Sequence, residues 1–282
     1  MERIVVLIAM MLICSIGLLF AKKVVNPSDF WTGSYCVQKC AKTPLPEVKV
    51  IEAKVEDKWQ TYPLVDFPPV FWEWNRERRL EYLDIFKEML EKGAGASRKP
   101  QLSGPHNGMV ATYGAARKDS FFKLNNAVKG TGFLPKASKL PEIIELLETT
   151  IDAPLGEKLA VLDSLYKQAE DVFAADRIIS LELYSEPGYT TQTFLNQMLN
   201  PACVTVFLDI PTFKIKQIAR LVHPEDPNLT AYEQQACHYV NLIHSYFHGK
   251  FPRDYIAVIY YNIEIYDSSP GRLDARGTKI TP

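Results

Sequence analysis

Residues 190–222 read TTQTFLNQMLNPACVTVFLDIPTFKIKQIARLV, and their punctuation decides the fold. The stretch 190–199 predicts a short helix closed by Asn200 and Pro201, because proline removes a backbone donor and biases its predecessor away from helical backbone. The apolar run 204–208 and the patchy alternation at 213–222 then predict two adjacent strands across the turn 209–212. Downstream, a helix is predicted over 231–248. Thr230 caps it, Glu233 completes a capping box three residues on, and Gly249 ends it. A long closing strand follows at 256–266, and a strand at 178–184 precedes the short helix.

Working back toward the N-terminus, 140–149 and 155–174 predict two helices separated by residues 152–154, with Pro141 favouring an early helical position. Residues 109–113 and 121–124 flank a polar turn and predict a loose hairpin. The segment 93–108, rich in Gly, Ser, Lys and Pro, marks the best boundary in the chain. Before it, 72–92 predicts a helix ended by Gly93. Leu80, Leu83, Phe86, Met89 and Leu90 form its packing stripe, with charges elsewhere. Val48 and Val50 alternate about Lys49 in a strand or hairpin of the Pro-containing stretch 41–69. The expected class is α+β: an N-terminal membrane segment, then a mixed domain with a C-terminal antiparallel, barrel-like sheet and helical insertions. The corresponding divisions are 1–23, 24–93 and 108–282.

Residues 4–21 are apolar and uncharged between Arg3 and the pair Lys22 and Lys23, a length close to the roughly 20 residues of a spanning helix. Ala21 suits the end of a cleaved signal peptide, whereas bulky Leu19 two residues earlier favours a retained anchor. Both readings stand, as do a membrane-anchored and a secreted location on either side. The composition is 47% hydrophobic and 23% charged with a net charge of −1. It allows a buried core and carries no basic excess for nucleic acid. Cys36 and Cys40 would pair outside the cytoplasm or remain thiols within it, and Cys203 and Cys237 are expected to be free.

The order of elements across 178–271, with Asn200-Pro201 closing a short helix before paired strands, resembles the flavin-binding split barrel of pyridoxamine-phosphate-oxidase-like proteins. That resemblance implies a homodimer binding FMN at the subunit interface and acting on a small-molecule substrate. It also implies a phosphate held by a hydroxyl and a basic side chain near the short helix and neighbouring strand. Thr190, Thr191, Lys214 and Lys216 stand at comparable places, and charge-assisted hydrogen bonds suit a dianionic phosphate. Gln192 stands where the family has a basic residue, and the long helical insertion is atypical. The functional expectation is an FMN-binding oxidoreductase or flavin carrier. The alternative is a non-enzymatic secreted or membrane-anchored module that binds a ligand or protein.

A second constellation lies on the helix 231–248. Cys237, His244 and His248 share a narrow stripe, and the i, i+4 spacing of the two histidines would let them meet a zinc, copper or haem iron. No Glu follows His244, so the HExxH pattern is absent. Histidines at the edge of an apolar face formed by Val240, Ile243 and Phe247 explain the same residues structurally. The sequence has no GxSxG elbow, Walker A loop, GxGxxG fingerprint or CxxC pair. Asn228-Leu229-Thr230 fits a glycosylation sequon, and Thr230 as a helix cap explains the same triplet. The tyrosines of 255–266 suit a pleated strand.

Overall fold

The computed structural model describes residues 24–45, 47–270 and 277–282. The apolar run 4–21 lies outside the described residues; among those described, no helix is long and apolar enough to cross a membrane.

The chain enters through a two-stranded pair, β1 (Trp31–Thr32) with β2 (Tyr35–Cys36), and a three-stranded sheet, β3 (Ala41–Lys42), β4 (Val50–Val55) and β5 (Lys58–Pro63). Glu56 and Asp57, both at positive φ, make the β4–β5 turn. Two consecutive residues in that region match the right-handed twist of a tight hairpin. Helix α1 (Pro69–Lys92) follows, opened by Pro69 at its first position and stopped by Gly93 at φ 53°.

The body is a closed antiparallel barrel. Its strands are β6 (Asn107–Tyr113), β7 (Leu124–Pro135), β8 (Phe173–Glu182), β9 (Ala202–Phe207), β10 (Phe213–Val222) and β11 (Ile256–Asp267). They neighbour one another in the order β10, β9, β6, β7, β8, β11, and β11 closes onto β10. Starting from Phe213, paired residues lead through Phe207 to Gly108, continue across β7 and β8, and pass through Glu182 and Ile256. The circuit rejoins β10 beside Val222, at the other end of the strand. That offset is the shear needed to close so few strands. A short β12 (Thr278–Lys279) extends the pairing along β11.

Helices α2 (Leu140–Thr150), α3 (Leu155–Lys167) and α4 (Ala169–Val172) lie between β7 and β8, α5 (Gln192–Leu199) between β8 and β9, and α6 (Ala231–His248) between β10 and β11. The six-stranded antiparallel barrel agrees with the split-barrel resemblance read from 178–271. Helix α5 spans six buried residues, Thr193 to Met198, and donates Gln197 Nε2 to Tyr260 Oη at 3.3 Å. Within the barrel, Thr205 Oγ1 donates to Gln217 Oε1 and Gln217 Nε2 to Asn262 Oδ1, at 2.6 and 2.9 Å. The network is incompletely satisfied, since Gln197 Oε1 and Asn262 Nδ2 are buried with no hydrogen-bond partner among the described residues.

Residues 24–93 and 108–282 share one hydrophobic core. Phe71 and Trp74 of α1 meet Phe213 of β10 with ring centroids 5.1 and 5.0 Å apart. Gln38 ties the N-terminal segment to the barrel, donating to Gln197 and Ala219 carbonyls and accepting from Leu221 N.

Two elements differ from the sequence expectation. Strand β7 continues from Leu124 to Pro135, although its glycines and the polar pair Asn125 and Asn126 dilute its alternation. Strand β8 begins at Phe173, where an alanine-rich tract favours helix. Pairing of Phe173 with Pro135 and burial of its ring override that weak propensity.

Candidate functional site

Helix α1 carries Arg79, Tyr82, Leu83 and Phe86 at i, i+3, i+4 and i+7, one face of a helix. Together with Pro105, His106, Tyr166 of α3 and Phe247 and His248 of α6, they line an apolar cavity of about 260 Å³. Arg79 is only 7% exposed. Its guanidinium lies 5.1 Å from the Phe133 ring centroid and 5.4 Å from that of Tyr166. Nε donates to Asn75 Oδ1 at 2.7 Å, and Nη2 to the Pro105 and Thr131 carbonyls at 3.3 and 3.0 Å. Among the described residues, Nη1 has no hydrogen-bond partner and no carboxylate pairs with the guanidinium. Stacking on aromatic faces and bonds to carbonyl dipoles keep the charge inside without cancelling it.

The segment before β6 is fixed by the same network, since Thr131 donates its backbone N to His106 O at 2.7 Å and its hydroxyl to Pro105 O at 2.8 Å. Gly130 leaves room for two imidazoles. A Cβ there would lie 3.4 Å from His106 Nε2 and 3.6 Å from His244 Nε2. Loss of water around its ring, then the positive charge of Arg79, holds His106 down at about 4. His244 is also lowered, chiefly by burial, and its Nδ1 donates to Val240 O at 2.8 Å. Both histidines are therefore neutral near pH 7.

The residues expected to hold a phosphate have different bonded partners among the described residues. Thr191 is the N-cap of α5: its hydroxyl accepts from Phe194 N and donates to Glu182 Oε1, both at 3.1 Å. Thr190 is buried beside it, its carbonyl accepting from Arg117 Nη1. Glu182 is fully buried and paired with Lys129 at 2.5 Å, so a second anion would meet a carboxylate at the very hydroxyl meant to bind it. Lys216 pairs with Glu264 at 2.6 Å, and Lys214 lies 4.6 Å from the Tyr266 ring centroid without a carboxylate partner among the described residues. Among the described residues no hydrogen bond or ion pair joins the two threonines to the two lysines, and no step through FMN is derived from them.

The stripe on α6 divides as well. Cys237 is 1% exposed, with its thiol against the Val222 and Tyr255 carbonyls. His244 and His248 stack with ring centroids 6.5 Å apart on the cavity side. Among the described residues, no three or more His, Cys, Asp or Glu side chains are placed to hold a metal ion. The expectation of Cys237, His244 and His248 as a ligand set is corrected accordingly: the positions line up along the helix axis, while the thiol reaches into the barrel layer. Cys36, Cys40, Cys203 and Cys237 are all free and buried. Burial pushes the Cys36, Cys40 and Cys237 thiols up to about 12, which makes them poor nucleophiles.

Arg79, His106 and Tyr166 were outside the sequence candidates. A charged residue on an amphipathic helix is ordinarily read as its solvent face. The available signal was Arg79 at i+4 from Asn75, the spacing at which their bond forms.

No family model matches the chain, and no curated protein matches it. Among solved structures, it is similar to a Clostridium acetobutylicum protein described as related to general stress protein 26 of B. subtilis, of the pyridoxinephosphate oxidase family. Identity is 9%, with 72% of this chain and 95% of that chain covered, at a TM-score of 0.29. An overlap that small identifies no ligand or activity.

Proposed function

We propose that this protein binds a small, largely apolar molecule in the cavity between α1, the His106 segment, α3 and α6. The observation that carries the reading is the buried residue Arg79, with Nη1 unpartnered among the described residues at the wall of an otherwise apolar space. An apolar cavity with a few convergent polar groups is the common form of a ligand site. Leu83, Phe86 and Phe247 supply the apolar walls, and Arg79, Tyr82 and His106 the polar points.

A ligand that binds only the folded protein raises its melting temperature by mass action. A small aromatic probe such as 3-phenylpropanamide should therefore stabilise the wild type. Phe247→Asp, at a 41% exposed rim position, places a charge at the mouth and should abolish that response. Equal stabilisation of both proteins would count against the cavity.

A second reading, an FMN-dependent oxidoreductase assembled as a homodimer, rests on the outer face of the barrel. Val128 faces Met109, which faces Val206, which faces Lys214 across four strands. Tyr113 and Leu124 continue the same uncovered apolar face, 54% and 53% exposed. Such a face favours a second subunit, and the cofactor phosphate would need donors from both copies. A purified protein with a flavin absorbance band would favour this reading. A colourless protein that does not respond to added FMN would remove it.

A further inference from the structure

Resting on the cavity reading, we infer that its occupant is a carboxylic acid with a compact aromatic or aliphatic body, the carboxylate accepting from Arg79 Nη1. Three observations narrow the chemistry. First, Arg79 is 7% exposed as a residue, yet no carboxylate among the described residues pairs with its guanidinium. A buried cation without a counter-ion is costly, so an anionic ligand is favoured over a neutral one and an amine is repelled. Second, among the described residues only Nη1 remains open, which suits one carboxylate and is too few donors for a dianionic phosphate. Third, the size is right for a ring with a short arm: a cavity of about 150 Å³ accepts benzene, and this one is about 260 Å³. His106 and Tyr82 beside the guanidinium bring no negative charge to compete with the ligand.

The experiment is a calorimetric titration of the full chain with 3-phenylpropionate and, separately, with its neutral match 3-phenylpropanamide at pH 7. In the wild type the acid should bind about tenfold or more tightly than the amide, the size of effect expected for one charge-assisted hydrogen bond. Arg79→Met keeps most of the side chain's length and should erase the preference, while Arg79→Lys should retain part of it. If the acid and amide bind the wild type equally well, the carboxylate assignment is overturned and the cavity reading stands. If neither binds, both are overturned. The comparison on the wild type needs no variant, so misfolding of Arg79→Met leaves it decisive.

Discussion

Arg79 is where stability and recognition meet at the level of single residues. Its bonds to Asn75 and to the Pro105 and Thr131 carbonyls hold α1 against the start of β6. Removing the donor leaves buried acceptors bare, so Arg79→Met should cost about 2–4 kcal/mol in a denaturant titration. His106 adds a pH signature. Its native value of about 4 lies below the ordinary 6.5, so the unfolded chain binds the extra proton between those values. Stability should then fall as pH drops from about 6.5 to 4, and His106→Gln should flatten part of that slope. His238 acts in the opposite direction, because Asp254 and Glu148 raise it to about 9. Its contribution is complete below pH 6.5 and is lost as pH rises through 9. Partial exposure keeps that limb small, and a melting series with His238→Asn will show it.

At the level of elements, the loop after β6 depends on one buried amide. Asn196 Oδ1 accepts from Ala115 N, while Nδ2 donates to Thr112 Oγ1 and Lys123 O. Asn196→Ala should cost about 2–3 kcal/mol and loosen the β6–β7 loop, measurable as faster amide exchange there. The capping box of α6, in which Thr230 and Glu233 bond reciprocally, makes Thr230→Ala worth about 1 kcal/mol. Helix α6 and strand β10 were legible at their exact ends, because capping residues, Gly249 and alternation all point the same way. Strand β7 was not, since Gly130, which packs against His106 and His244, and Gly132 lower its strand propensity. The cavity was least legible: Arg79, Pro105, Tyr166 and Phe247 are far apart in sequence, and only the closure of α1 against α3 and α6 gathers them.

For the whole molecule, one core joining α1 to the barrel makes cavity and fold inseparable. Ligand should therefore protect the protein against global unfolding rather than against a local opening alone. Gly108 shows how tightly the barrel is closed, since a Cβ there would lie 2.9 Å from Thr205 Cγ2 and 3.0 Å from Thr131 Cγ2. The most direct test of the central claim is a methyl NMR titration of the wild type with 3-phenylpropionate. The account predicts saturable shifts at Leu83, beside Arg79 and Phe86. Shifts confined to the outer-face methyls of Met109, Val128 and Val206, with Leu83 unmoved, would contradict it.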